Sequence, residues 1–196
     1  SSDNVTLKNV NVHGDYATID IGSVSDLLWQ GGELGEAGKV GGKRRVGCSG
    51  GPAGDPEPIQ MGGTTRVTFD GIKFHPQDAD LTQVSCSVNG YHLEMIRVEG
   101  GNDYFTIRNS TFDNGDNSNT SSIFITTSTP GGSSANHLLF ENNFFGSNDS
   151  SPGAFNVHGN VSACQNMTFA YNTFVEGTGA FQCGTSSNVK WIGNVG

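Results

Sequence analysis

Three charged residues recur at the same step of a repeated sequence pattern and could together perform acid–base chemistry. Asp70, Arg108 and Glu141 each stand three residues after the apolar residue that opens a copy of the pattern. If the copies stack, these side chains become neighbours on one face. A carboxylate could then remove a proton beside a sugar carboxylate, which the arginine would neutralise. We predict them as candidate catalytic residues, with a surface ladder of ion pairs, each worth under about 1 kcal/mol, as the alternative.

A second acidic group lies in the segments that follow two of the copies. Asp113 and Asp116 are predicted to lie near Asp78 and Asp80 of the preceding segment. Paired carboxylates across a cleft are what glycoside hydrolysis requires, and clustered carboxylates could instead hold calcium. Aspartates also stabilise ordinary turns. We therefore predict these four residues as a binding group. Calcium is the one cofactor that the sequence suggests.

Basic residues are concentrated in one glycine-rich insertion, which spans residues 35–58. It contains Lys43, Arg44 and Arg45. These cations could hold an acidic polymer, or the insertion could be a solvated loop tied down by a disulfide. We predict the three residues as candidate binding residues.

The five histidines show no order of Ser, His and Asp that indicates a catalytic triad. Four of them, His137 included, are predicted to be polar residues of loops or turns.

An eight-residue pattern positions these side chains. It reads apolar, any, apolar, any, Asn or Gly, any, any, apolar. Seven copies open at Val5, Leu27, Val67, Phe105, Leu138, Met167 and Val189, and the last of them breaks the final position with Gly196. The first three positions alternate as in a β-strand. The fifth position is Asn or Gly in six of the seven copies, and these residues tolerate the backbone of a turn. Each copy therefore predicts a strand followed by a turn into another strand.

Stacking of the copies predicts internal columns of like residues. The eighth positions include Phe74, Phe112, Phe145 and Phe174, which would form one aromatic column. A further short strand is predicted after most copies, at residues 19–21, 59–61, 84–86, 123–125, 155–157 and 181–183. Repeated strands of this kind indicate a solenoid rather than an antiparallel sandwich, because a sandwich does not need the same turn residue in successive strands.

The repeats resemble those of the pectate-lyase-like superfamily, over nearly the whole chain from Val5 to Gly196. The resemblance implies an all-β, right-handed parallel β-helix of about seven coils with inserted loops, in one domain over residues 1–196. In lyases of that superfamily, arginine and calcium-bound carboxylates have the roles suggested above for Arg108 and its neighbours. The chain departs from the pectate lyases because Trp191-Ile192 is followed by Gly193 and not by Asp-His. The fold is shared by enzymes and by non-catalytic surface proteins, so it does not choose between them.

Charge and cysteine content limit the location and the partners. A formal net charge of −9 disfavours nucleic acid, and no apolar run is long enough to span a membrane. Four cysteines without a CxxC pair indicate disulfides and an oxidising compartment, with four buried free thiols as the alternative. We predict the pairs Cys48–Cys86 and Cys164–Cys183 in a secreted or cell-surface protein.

Two classes of function remain open at this point. The first is an extracellular protein that binds carbohydrate or processes polysaccharide as a lyase or glycoside hydrolase. The second is a non-catalytic structural, adhesive or filament-forming module. Because no capping helix covers either terminal repeat, we expect a segment of a longer chain or end-to-end self-association.

Overall fold

The part of the chain that the structure describes is all β. The computed structural model describes residues 2–13, 19–35, 39–40, 43–44, 59–75, 93–99, 101–113, 120–126, 135–146, 156–159, 164–175, 180–183 and 187–196. These residues form 21 strands and no helix. Three parallel sheets contain nearly all of the strands, which confirms the predicted all-β class and is consistent with a parallel β solenoid.

The main sheet takes one strand from each copy of the octet. Its strands, in spatial order, are β1 (Ser2–Lys8), β4 (Val24–Gln30), β9 (Thr65–Asp70), β12 (Asp103–Arg108), β15 (Ala135–Glu141), β18 (Cys164–Ala170) and β21 (Ser187–Ile192). The register places the first octet positions opposite one another, as in Val67 with Phe105 and Phe105 with Leu138. The copies therefore stack without a shift, as the pattern predicts.

The second sheet contains the eighth octet positions. Its strands are β2 (Val12–His13), β5 (Glu33–Gly35), β10 (Lys73–Phe74), β13 (Thr111–Asp113), β16 (Phe144–Gly146) and β19 (Thr173–Phe174). Phe74, Phe112, Phe145 and Phe174 are consecutive partners, and their rings stack with centroids 4.4, 4.7 and 5.2 Å apart. The predicted aromatic column is confirmed.

The third sheet is built from the additional short strands. They are β3 (Ile19–Gly22), β8 (Ile59–Gly62), β11 (Leu93–Glu99), β14 (Thr120–Thr126), β17 (Asn156–Gly159) and β20 (Ala180–Cys183). The strand that follows β8 in this sheet is β11, because Ile96 and Val98 supply the alternating apolar residues that pair with Ile59 and Met61. The predicted strand at residues 84–86 lies outside the described residues.

Apolar side chains from all three sheets meet in one interior. The third octet position contributes Trp29, Phe69, Ile107, Phe140 and Phe169, all of which are buried. Burial of such side chains is the main stabilising contribution, at about 1.5–3 kcal/mol for each large aliphatic or aromatic group.

The corner between the main and second sheets depends on two consecutive octet positions. The fifth position is left-handed, with φ of 53° at Asn109, 51° at Asn142 and 69° at Gly71, as the prevalence of Asn and Gly predicts. The sixth position is buried at Asn143 and Asn172. The side-chain oxygen at this position accepts a hydrogen bond from the backbone N–H of the equivalent residue in the preceding copy. The distance from Asn143 N to Asn172 Oδ1, for example, is 3.0 Å. The buried amides thus satisfy backbone groups that the turn leaves unpaired.

The basic insertion contains a short antiparallel ribbon. Strand β6 (Lys39–Val40) pairs with β7 (Lys43–Arg44). Lys43 and Arg44 thus lie in β7, whereas Arg45 lies outside the described residues. The proposed contact of these three cations with an acidic polymer stays a prediction.

The cysteines are only partly covered by the described residues. Cys164 begins β18 in the main sheet and Cys183 ends β20 in the third sheet. Cys48 and Cys86 lie outside the described ranges, and no contact between the side chains of Cys164 and Cys183 is described, so both disulfide pairs stay predictions. Among the described residues, no helix is long and apolar enough to cross a membrane.

Candidate functional site

The predicted catalytic residues are brought together on the outward face of the main sheet. Arg108 lies opposite Asp70 on one side and Glu141 on the other. Its Nη2 donates to Asp70 Oδ2 at 3.0 Å. Within the described residues, Arg108 forms its ion pair with Asp70 and none with Glu141. The spacing argument therefore predicted the neighbourhood correctly, and the catalytic assignment stays a prediction.

Hydrogen bonds hold Asp70 in its ionised form. Its side chain is only 14% exposed, and this burial raises the pKa. Hydrogen bonds from Asn109 Nδ2 at 2.8 Å and from Arg108, together with the charge of Arg108, outweigh burial and lower the pKa below the ordinary aspartate value. A carboxylate with a lowered pKa is a weaker base, so this geometry favours a stabilising ladder over proton abstraction by Asp70.

Replacement of Asp70 tests this stabilising role. We expect Asp70→Asn to lower the free energy of unfolding by about 1 kcal/mol at neutral pH, because two hydrogen bonds to a charged group are lost or weakened. The lowered pKa means that the stabilisation is present above the ordinary aspartate range and disappears as the pH falls through the folded-state pKa. Denaturant unfolding of both proteins over this pH range measures the difference.

The matched control for this prediction is Asp20→Asn, since Asp20 is exposed in β3 and makes no ion pair within the described residues. An equal loss of stability in both variants, or a loss that does not depend on pH, would contradict the role of Asp70.

The predicted acidic group is only partly described. Asp113 ends β13, opposite Gly146 of β16. Asp116, Asp78 and Asp80 lie outside the described residues. Among the residues that are described, no group of three or more His, Cys, Asp or Glu side chains could hold a metal ion. Hydrolysis or calcium binding by the acidic group stays a prediction.

A second row of side chains lies on the outward face of the main sheet, beside Asp70 and Arg108, and the sequence analysis did not predict it. Each of its residues comes one position before the first residue of an octet. We call it the outer row; it consists of Asn4, Asp26, Arg66, Tyr104, His137, Asn166 and Asn188. All seven residues are left-handed, with φ between 49° and 60°. Asn, Asp and His tolerate this conformation better than Arg or Tyr, in which it costs about 1 kcal/mol or more. Because all seven residues share this conformation, it belongs to the repeat itself, and Arg66 and Tyr104 adopt it at the centre of the row.

An arginine fork begins the central part of the outer row. Arg66 Nε and Nη2 donate to the two carboxylate oxygens of Asp26 at 2.5 and 2.7 Å. The hydrogen bonds and the charge of Arg66 lower the pKa of Asp26. The same contacts raise the pKa of Arg66. The fork is thus a bidentate ion pair on this face.

A tyrosine, a histidine and an aspartate follow on the next two strands. The rings of Tyr104 and His137 are parallel within 4°, with centroids 4.5 Å apart. His137 Nδ1 lies 2.8 Å from Asp103 Oδ1. Tyr104 is 52% exposed, and the side chains of His137 and Asp103 are 41% and 40% exposed. We call Asp103, Tyr104 and His137 the proton-transfer cluster, because each carries an ionisable group that a ligand can reach.

Residue order alone contains little indication of this cluster. His13, His137 and His158 lie within β2, β15 and β17, so the prediction that these three belong to loops or turns was wrong. Asn occurs at three of the seven positions of the outer row, but the four residues between Asn4 and Asn166 are all of different types, so residue type does not mark the row as a column. Position in the repeat could have predicted the row. A residue that stands one place before the first octet position in every copy becomes a neighbour of its equivalents when the copies stack.

Comparison with known proteins does not identify the chain. No protein-family model matches it, and no curated protein is significantly similar to it.

Proposed function

We propose that this chain is an extracellular protein that binds or processes carbohydrate on the outward face of its main sheet. The observation that supports this proposal is the exposed proton-transfer cluster beside the Asp26–Arg66 fork, on the same face as the Asp70–Arg108 ladder. Hydrogen-bond donors and acceptors thus alternate along one continuous surface.

The geometry of this face suits an extended polymer with many hydroxyl groups. Strands of a parallel sheet are about 4.8 Å apart, so equivalent side chains recur at that interval along the stack. Positive and negative side chains alternate in the fork and in the ladder, which favours a ligand rich in both donors and acceptors. The formal net charge of −9 argues against nucleic acid as the ligand.

The finer features of the fold belong to the same proposal. We propose a right-handed solenoid of about seven coils, in keeping with the resemblance to the pectate-lyase-like superfamily. A secreted or cell-surface location with disulfides follows from the even cysteine count. Non-reducing mass mapping of cysteine-containing peptides tests the two proposed pairs.

Binding to a panel of soluble polysaccharides tests the proposed function. We expect Tyr104→Ala to weaken binding of the preferred polymer at least about tenfold, since a tenfold change corresponds to about 1.4 kcal/mol and the variant removes a central contact. Titration calorimetry or affinity electrophoresis measures the dissociation constant.

Tyr171→Ala is the matched control. Tyr171 is as exposed as Tyr104 and has nearly the same backbone, with φ of 57° against 56°, so the strain of alanine is shared by both variants. It lies at the corner between the main and second sheets. Failure of the unmodified protein to bind any polymer, or equal weakening by both substitutions, would contradict the proposed site.

A structural or adhesive module is the second candidate. Trp191 and Ile192 of β21 and the nearby Val195 are between 43% and 61% exposed, and a second copy of the chain could cover this apolar patch. Sedimentation over a range of concentrations distinguishes the candidates. Self-association that Ile192→Ser and Val195→Ser abolish, without binding of any polysaccharide, favours the module.

A further inference from the structure

We propose that Asn4 is a site of N-linked glycosylation, whereas Asn109 and Asn166, which stand in the same kind of tripeptide, serve as structural links between copies of the repeat. The inference rests on the secreted or cell-surface location in the proposed function, because N-linked glycans are added to chains that enter a secretory route. It does not depend on which ligand the main sheet binds.

Three acceptor tripeptides have their asparagine among the described residues. The acceptor for an N-linked glycan is Asn-x-Ser or Asn-x-Thr, in which x is not proline. The three are Asn4-Val5-Thr6, Asn109-Ser110-Thr111 and Asn166-Met167-Thr168. Residue type does not rank them, so the ranking depends on what each asparagine side chain does in the folded chain.

The amide of Asn109 is engaged through both of its polar atoms. Its Nδ2 donates to Asp70 Oδ1 and its Oδ1 accepts from Asn142 Nδ2, both at 2.8 Å. Attachment of a sugar replaces one hydrogen of Nδ2 and adds a bulky group beside strands that are about 4.8 Å apart. A glycan at Asn109 would therefore compete with the hydrogen bond that helps to lower the pKa of Asp70.

The amide of Asn166 is engaged in the same way within the main sheet. Its Nδ2 donates to Asn136 Oδ1 and its Oδ1 accepts from Asn188 Nδ2, both at 2.7 Å. The residue is half-buried, and Met167, which follows it, is fully buried. Because Asn136 and Asn188 lie on the two adjacent strands, a glycan at Asn166 would separate amides that are hydrogen-bonded on both sides.

Asn4 differs from both, because its side chain is exposed and forms no hydrogen bond with the described residues. Its neighbour on the paired strand β4 is Asp26, and both carboxylate oxygens of Asp26 accept from Arg66. The amide ladder therefore does not extend to Asn4. Thr6, which supplies the hydroxyl of the tripeptide, is also exposed.

Position in the sheet gives the amide of Asn4 further room. Strand β1 stands first in the order of the main sheet, so β4 is its one neighbour in that sheet among the described strands. Asn166, by contrast, lies in β18 between β15 and β21. A sugar on Asn4 can thus extend into solvent without entering the space between two strands.

The modification step balances with a lipid-linked oligosaccharide diphosphate as the donor. A bond forms between Asn4 Nδ2 and the anomeric carbon of the first sugar, while the bond from that carbon to the diphosphate oxygen breaks. The diphosphate leaves with the electron pair of the broken bond. The amide nitrogen gives up one proton to a base of the transferase.

Stability decides which modified chains persist, because the transfer can precede folding. A glycan on Asn109 or Asn166 disrupts hydrogen bonds between copies and lowers the free energy of unfolding, whereas a glycan on Asn4 disrupts none that the structure describes. Destabilised chains are removed by cellular quality control. We therefore expect the secreted protein to carry its glycan on Asn4 and to be depleted of chains modified at the other two positions.

Peptide mapping of the secreted chain tests the inference. The chain is expressed behind a signal peptide in a eukaryotic secretory cell. A peptide N-glycosidase then removes the glycans in heavy-oxygen water, which marks each modified asparagine as an isotope-labelled aspartate. We expect the label at Asn4 and no label above background at Asn109 or Asn166.

Three variants sharpen this test. Thr6→Val keeps a branched side chain but removes the hydroxyl, and it should abolish the label at Asn4. Thr6→Ser keeps the acceptor tripeptide and should retain the label. Asn109→Gly, which tolerates the left-handed backbone with φ of 53° at this position, should leave the label at Asn4 unchanged and lower the urea midpoint of unfolding.

The outcomes separate this inference from the proposed function. A secreted chain without label at Asn4 overturns the inference and leaves the proposed function in place. Equal labelling of Asn4, Asn109 and Asn166 also overturns it, because the amide ladders would then have no effect on modification. Retention of the chain inside the cell overturns the secreted location and the inference with it.

Discussion

Replacement of Phe145 by alanine is expected to lower the free energy of unfolding by about 3–5 kcal/mol, the range found for buried phenylalanine. Phe145 is fully buried and stacks on Phe112 and on Phe174, at 4.7 and 5.2 Å between centroids. The truncation removes both stacks and leaves a cavity in the middle of the aromatic column. Equilibrium denaturation in urea measures the change.

The adjacent residue provides an unusually close control. Phe144 is in the same strand, β16, but it is 43% exposed. Phe144→Ala should cost less than about 1 kcal/mol, because most surface substitutions have small effects. If the two variants lose equal stability, the alternation of β16 between interior and solvent is wrong.

Replacement of Asn172 by alanine is expected to cost about 2–4 kcal/mol, because it leaves several buried polar groups without a partner at once. The oxygen of Asn172 accepts from the backbone N–H and from Nδ2 of Asn143, both at 3.0 Å. Its Nδ2 donates to the carbonyl of Phe140 at 3.0 Å. Thermal and urea denaturation measure the loss, and hydrogen exchange at the Asn143 amide should accelerate.

An exposed amide ladder serves as the control for this effect. Asn188 Nδ2 donates to Asn166 Oδ1 at 2.7 Å, outside the core. Asn188→Gly removes this bond while keeping a residue that tolerates the left-handed backbone, with φ of 56° at this position. We expect a loss of under about 1 kcal/mol. A loss as large as that of Asn172→Ala would show that burial of the amide is not what stabilises the corner.

Burial explains why these two ladders differ although both consist of asparagine. In the core, an amide that loses its partner cannot form a hydrogen bond to water. The full cost of its desolvation then lowers the free energy of unfolding. On the outward face, water replaces the lost partner. The face is therefore free to vary in sequence, which is why Arg, Tyr and His can occupy the centre of the outer row.

The two functional hypotheses differ in which part of this face acts. The spacing of the octets selected Asp70, Arg108 and Glu141, and in the structure Asn109 and Arg108 donate hydrogen bonds to Asp70 that lower its pKa. The outer row, by contrast, presents exposed side chains such as Tyr104 and His137. The difference between the two groups of residues is in their hydrogen-bond partners. Spacing along the chain does not predict those partners.

The repeat itself predicted much of the architecture. Seven matching octets were sufficient to predict the stacked strands, the left-handed fifth position and the column from Phe74 to Phe174, because a period-two strand with a fixed turn residue has few ways to bury its apolar side. Neighbours across strands, such as Asp70 with Arg108, follow from the same register. These features are local or repeat along the chain, so they can be read from residue order.

Only the tertiary structure decided the choice of β11 for the third sheet and the composition of the outer row. The segment between Phe74 and Phe105 contains more than one apolar stretch, and pairing with Ile59 and Met61 selects residues 93–99. The contact of His137 with Asp103 and Tyr104 joins strands about thirty residues apart. Such contacts depend on which side chains point outward at a left-handed residue. The residue types at the centre of the outer row differ from copy to copy, so they do not predict that conformation.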